Sequence, residues 1–153
     1  MDTQQYLETL KSQLLHEKNW QQIIMTTSWT RSIPEEAGVY VMKENEKIVY
    51  VGETGNLQKR MLDLLDSRHH TVRRTIGEKF FFDTEGFMKA TTRIKFPEHI
   101  ETLVNDHICT KLSLAYLEVS LGRKELEELI ESNIEAEIRL NKRGKRKKKV
   151  SRK

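Results

Sequence analysis

The chain has one cysteine, Cys109, among 153 residues. That excludes an internal disulfide and any zinc site built from several thiolates. No apolar run approaches the roughly 20 residues a membrane-spanning helix needs. The opening MDTQQYLETLKSQ lacks the basic start and apolar block of a secretory leader. These absences make a cytoplasmic protein with no membrane partner the expectation. His99 and His107 share one predicted helix with no third ligand to match them, so neither reads as a metal ligand. Tyrosine is scarce too, with four in the chain, yet two of them, Tyr40 and Tyr50, lie close together in one short stretch.

Charge, by contrast, is abundant and unevenly placed. Charged residues make up 33% of the chain and the formal net charge is +4. Residues 142–153, KRGKRKKKVSRK, hold nine Lys or Arg and no acid, so without them residues 1–141 stand at −5. Such a run reads either as a disordered arm seeking a polyanion or as a solvated terminus.

The length suits one domain, with residues 1–33 as an N-terminal helical extension, 34–141 as the core domain and 142–153 as the tail. Leu7, Leu10, Leu14 and Leu15 predict an amphipathic helix over 3–17, and a second short helix is expected over 20–25. Pro34, Glu35 and Glu36 mark the entry to new structure. Residues 39–43 and 48–51 are rich in β-branched and aromatic side chains around a polar Glu44-Asn45-Glu46, which predicts a β-hairpin. Asn56 caps a helix whose buried stripe is Leu57, Met61, Leu64 and Leu65. Further helices are expected over 70–79, 98–110 and 124–139, and strands over 91–96 and 112–119. Gly122 supplies a turn before the last helix. The order defines an α+β fold, a small and mainly antiparallel sheet flanked by helices.

A hairpin centred on Asn45 places Tyr40 opposite Tyr50 and Val41 opposite Val49, so that two phenols share one face. A one-residue change of register breaks that pairing. An aromatic cross-strand pair can serve stability alone. The residues that follow favour more: Gly52 and Gly55 free the backbone, a helix N-terminus faces the strand ends, and Arg60 lies at the margin of the buried stripe. Two phenols, helix amides and a guanidinium make a phosphate site.

"GVY" at 38–40, "YVG" at 50–52 and "NLQKR" at 56–60 resemble, in order and spacing, the signature of the GIY-YIG nucleases. The preceding "IPEEAGVYVM" is similar to the approach to the first strand in excision-repair members. The resemblance implies an endonuclease that cuts DNA phosphodiester bonds with one divalent metal, magnesium or manganese. It assigns Tyr40 as the general base nearest the attacking water, Tyr50 as a hydrogen-bonding partner of the water or phosphate, and Arg60 as the neutraliser of phosphate charge. Gly38, Gly52 and Asn56 would support the site. A free phenol has a pKa near 10, so a neighbouring cation is expected to favour its ionised form.

The family also places a metal-binding glutamate on a late helix and a bracing asparagine after it. Asn141 suits the asparagine. Among Glu125, Glu127, Glu128 and Glu131, Glu127 borders the buried stripe through Leu126, Ile130 and Ile134 and is the choice. The chain departs from the family at Glu53, which follows "YVG", and at Leu64, where a histidine is otherwise found one turn after the arginine. "SRHHTVRRTIG" supplies His70 near the site and Arg73 and Arg74 as DNA contacts, alongside Lys145, Arg146 and Lys147 of the tail. DNA is the expected partner, with a homodimer or a recruiting protein supplying what a small core lacks. The alternative is a nucleic-acid-binding module that keeps the fold without catalysis. The two differ in whether a carboxylate of the last helix reaches the Tyr40, Tyr50 and Arg60 cluster. A plain interaction domain would hold those three apart.

Overall fold

The hairpin forms as β2 (Gly38–Glu44) and β3 (Lys47–Thr54) in the computed structural model, which describes residues 2–141. Its tip is the two-residue turn Asn45-Glu46, both with positive φ (53° and 66°), as tight turns matched to strand twist require. That turn differs from a loop centred on Asn45 by one register step, which alone would send Tyr40 and Tyr50 to opposite faces. A bulge corrects it. Lys43 pairs with Ile48 and Met42 with Tyr50, leaving Val49 as the extra residue. Beyond the bulge Tyr40 lies opposite Gly52 and Val41 opposite Val51. The expected Tyr40–Tyr50 and Val41–Val49 pairs are therefore not formed. The tyrosines are diagonal neighbours, but they do share a face.

Strand β4 (Leu112–Glu118) runs antiparallel on the other side of β2, and with the short β1 (Gln21–Gln22) the order β1-β4-β2-β3 leaves β3 at an edge. The fold is α+β with a four-stranded antiparallel sheet. Alternation along the strands splits the core in two. Tyr40, Met42, Tyr50, Leu112 and Leu114 face α3 (Leu57–Asp63), α4 (Thr71–Phe80) and α5 (Glu98–Lys111). Val39, Val41, Val51 and Ala115 face α1 (Thr3–Leu14) and α6 (Arg123–Glu131). Leu7 and Leu14 of α1 pack there with Leu126 and Ile130 of α6, so the N-terminal extension shares a core with the rest.

Four expected elements differ. Residues 20–25 contain no helix: Gln21–Gln22 form β1, paired with Leu114 and Ser113 of β4, and a short α2 follows at Thr27–Thr30, capped by Thr26. Ile23 is fully buried, and backbone pairing to an open strand edge outweighs weak local propensity. Helix α1 ends at Leu14, whose carbonyl accepts from Asn19 Nδ2 at 2.8 Å. Residues 91–96 are loop, with Thr91 N–H donating to Ile94 O at 2.8 Å and Ile94 63% exposed. The last helix stops at Glu131 because Ser132 Oγ and Asn133 Nδ2 both donate to Leu129 O (2.9 and 3.2 Å), the competition that ends helices at such residues. Its apolar spacing continues as turns that bury Ile134 and Leu140.

Candidate active site

Tyr40 is 1% exposed and lies over Gly52; a Cβ there would stand 2.6 Å from its Cζ and hydroxyl oxygen. Glycine is thus required for the ring to lie flat on the sheet. A Cβ at Gly38 would likewise meet Leu117 O at 2.4 Å and Leu57 Cδ1 at 2.6 Å, so that position lets α3 close against β2. Asn56 caps α3 by accepting from Lys59 N–H at 3.0 Å. Leu57 and Gln58 N–H donate to Glu36 O and Pro34 O (2.8 and 3.1 Å). With its first three amides occupied, α3 offers no N-terminal seat for an anion, contrary to the sequence expectation.

What α3 does supply is Arg60. Its Nε donates to Tyr40 Oη at 3.2 Å, and its Nη1 to Asp63 Oδ2 and the His69 carbonyl oxygen, each at 3.1 Å. The guanidinium also acts on the Tyr50 hydroxyl, and the side chain is 27% exposed. That exposure leaves the guanidinium within reach of a phosphate from solvent.

His70 completes the cluster. It is fully buried at the N-cap of α4, where Nδ1 accepts from Val72 N–H at 3.2 Å. A neutral ring that accepts at Nδ1 carries its proton on Nε2, so Nε2–H donates to Tyr40 Oη across the 2.9 Å contact. Tyr40 Oη then accepts twice, from Arg60 and His70, and its own proton is directed toward Tyr50 Oη, 3.4 Å away. The Tyr40, Tyr50 and His70 ring centroids lie 5.6–6.0 Å apart.

Burial dominates the electrostatics. It pushes the Tyr40 phenol well above its ordinary pKa, and nearby Tyr50 adds to this while Arg60 opposes it. The expectation that Arg60 alone would bring this phenol toward neutrality is not met in the free protein. Burial also raises Tyr50, with Tyr40 and Arg60 opposing and the Glu127 charge adding. Burial acts against the Arg60 charge, yet Tyr40 and Tyr50 hold it above its usual value. Burial, then Arg60, Arg74 and Arg73, hold His70 well below its usual pKa, hence neutral.

A buried neutral histidine sets a pH dependence. The unfolded chain binds the proton first, near pH 6.5, so stability is complete above that pH and falls as pH drops below it. Urea unfolding between pH 7 and 5 should show stability declining by up to about 1.4 kcal/mol per pH unit for this one group. His70→Gln should flatten the decline, and an unchanged slope would contradict the assignment.

Glu127 sits half-buried on α6, and its charge acts on Tyr50. Glu125 and Glu128 are exposed, and Glu131 is 1% exposed within the sheet-facing core. Asn141 lies outside β3, with Oδ1 accepting from Val51 N–H at 3.2 Å and Nδ2 donating to Val51 O at 2.8 Å. Together with Leu140 N–H on Val49 O at 2.7 Å, it fastens the edge strand next to Tyr50. Glu53 pairs with Val39 across the hairpin and so points away from the tyrosines. There it accepts from Arg123 Nε at 3.0 Å, which removes it as a ligand or repeller of the phosphate.

The basic residues of "SRHHTVRR" divide sharply. Arg73 is 1% exposed and its guanidinium binds Glu101, Asn105, Ser67 and the Leu64 carbonyl. It is a buried structural cation, and the expected DNA contact is corrected. Arg74 donates to Ser67 O and Arg68 O at 3.0 and 2.9 Å. Both arginines therefore knit the α3–α4 connection that carries His70. Lys145, Arg146 and Lys147 lie outside the described residues. The sequence places His70 near the site but does not show its bond to Tyr40; its position as the cap residue before a helix is the available signal.

On one face of the sheet a second phenol, a guanidinium and a buried imidazole meet at the Tyr40 hydroxyl. Residues 20–152 match the family model described as the GIY-YIG catalytic domain, and the chain belongs to this family of nucleases. Over 59 residues it is 37% identical to UvrABC system protein C of Fusobacterium nucleatum subsp. nucleatum, a stretch that is 39% of this chain and 10% of that protein. The chain thus spans about a tenth of the curated relative it matches. No solved structure matches it. Among the described residues no helix is long and apolar enough to cross a membrane.

Proposed function

We propose that the protein is a divalent-metal-dependent endonuclease that hydrolyses DNA phosphodiester bonds. The observation that carries this is the convergence of Arg60 Nε and His70 Nε2 on the Tyr40 oxygen, with the Glu127 charge acting on the adjacent Tyr50. Arg60, part of whose guanidinium is exposed, binds the scissile phosphate and offsets charge developing on it. Ionised Tyr40, stabilised by two N–H donors, takes the proton of the attacking water. Because Val72 N–H occupies His70 Nδ1, the imidazole orients and stabilises this oxygen rather than removing its proton. Tyr50 hydrogen-bonds to the same oxygen and holds it in place.

Among the described residues no group of three His, Cys, Asp or Glu is placed to hold a metal. That donor set does not suit zinc. It suits magnesium or manganese, which are held by one or two carboxylates, waters and phosphate oxygens, with Glu127 as the protein ligand. The bound ion would supply positive charge that favours Tyr40 ionisation and stabilises the leaving oxygen. A non-catalytic binding module would need no acidic charge acting on the phenols, and the influence of Glu127 on Tyr50, the weakest of those acting on that hydroxyl, supports the catalytic reading.

The test is cleavage of supercoiled and branched DNA with and without magnesium. Wild type should nick only with metal. Arg60→Ala should lower the rate by about 10²–10³-fold. Glu127→Gln should remove the metal response while Glu128→Gln keeps it. Metal-independent cleavage, or the reverse order of the two glutamates, would defeat this assignment.

A further inference from the structure

The segment between α4 and α5, residues 81–97, has no regular secondary structure, and loops this long inside a domain usually carry function. It is nevertheless tied down. Phe96 packs over Gly77, where a Cβ would stand 2.2 Å from its Cζ. Phe96 N–H donates to Glu101 Oε2 at 2.9 Å, and Glu85 O bonds His99 Nε2 at 2.8 Å. Thr91 Oγ1 accepts from the N–H groups of Arg93 and Ile94 (3.1 and 3.0 Å), closing a tight turn at 91–94.

This fixed loop turns large apolar side chains to water: Phe82, Met88 and Ile94 are 64%, 68% and 63% exposed. Cations stand among them. Residues 88–96, MKATTRIKF, contain Lys89, Arg93 and Lys95 and no acid, on a body whose residues 1–141 total −5. All three are exposed and form no ion pair among the described residues. Arg60, Arg68, Arg73 and Arg123 do form such pairs. Apolar side chains held rigidly between unpaired cations suit a polyanion with an apolar interior, which is duplex DNA; wedges of Ile or Met against base steps and cations on phosphates are its ordinary recognition chemistry. The loop's end borders the segment that carries His70: Lys95 and Phe96 line one cleft with Leu65 and Arg73, and with the carboxylates Glu98 and Glu101 of α5.

We propose that residues 88–96 form a second DNA-binding surface, with Lys89, Arg93 and Lys95 on the phosphates of duplex flanking the cleaved bond and Met88 and Ile94 against its groove. This rests on the nuclease reading above. The experiment is fluorescence anisotropy of the full chain with a fluorescein-labelled duplex oligonucleotide in EDTA, across a salt series. The triple variant Lys89→Gln/Arg93→Gln/Lys95→Gln should weaken binding by at least about tenfold at low salt. It should also reduce the slope of log affinity against log salt by about 0.9 for each phosphate no longer neutralised. Met88→Ser/Ile94→Ser should weaken binding with the salt slope unchanged. An unaltered slope and affinity in the triple variant would overturn the proposal, as would a wild-type dimer that Met88→Ser/Ile94→Ser converts to monomer without loss of affinity. No duplex binding by the wild type would overturn this surface, while magnesium-dependent cleavage decides the nuclease reading separately. Normal binding and cleavage by the triple variant would overturn the surface alone.

Discussion

Tyr40→Phe should reduce metal-dependent nicking of plasmid DNA by about 10²–10⁴-fold, the span a positioned general base contributes, without unfolding the protein. The phenylalanine ring can occupy the same space over Gly52, so the sheet and α3 lose no packing. What disappears is the oxygen that accepts from Arg60 Nε and His70 Nε2. Two donors are then left in a buried setting, which costs about 1–3 kcal/mol for each group left unsatisfied. Measured together, the variant should melt somewhat earlier while its activity falls out of proportion. An active Tyr40→Phe protein would remove Tyr40 as the base, and a Tyr50→Phe variant more damaged than Tyr40→Phe would exchange their roles.

Arg73→Ala should produce the largest loss of stability, about 3–5 kcal/mol, as expected when one partner of a buried ion pair is removed. Arg73 is 1% and Glu101 17% exposed, so water cannot readily replace the guanidinium. Lysine should rescue little: Nε binds Ser67 Oγ at 2.8 Å and Nη1 binds Asn105 Oδ1 at 2.6 Å while Nη2 meets Glu101, and one ammonium cannot span that fork. Because Ser67 and Leu64 belong to the connection that carries His70, activity should fall below the folding midpoint as well. Denaturant unfolding checks the prediction; a loss below about 1 kcal/mol would mean the cation is solvated in solution.

Where a pattern is local, the sequence makes it legible. The Leu57, Met61 and Leu64 stripe and the Asn56 cap each depend on neighbours within a turn or two, and both are present. Arg60 beside the phenols is legible in the same way, whereas the phenols share a face through a register the sequence does not show, a two-residue turn and a bulge whose shifts cancel. Where the outcome depends on distant chain, it is not. Gln21–Gln22 is too short to show a period and becomes a strand because β4 has an open edge. Residues 91–96 alternate like a strand but meet no such edge. Arg73 reads as a surface cation until Glu101, 28 residues away, closes over it. His70 reads as a basic neighbour because its bond to Tyr40 spans 30 residues.

The bulge at Val49 carries an arithmetic of its own. The two-residue turn and the single inserted residue each invert the facing of β3 relative to β2, and together they cancel. The hairpin is thereby sensitive to odd changes of length and tolerant of even ones. Deleting one residue between Glu44 and Tyr50 would rotate the second phenol toward α6, and a compensating insertion elsewhere in the tip would bring it back. Length parity, more than the identity of the tip residues, is what natural variation in this hairpin has to preserve.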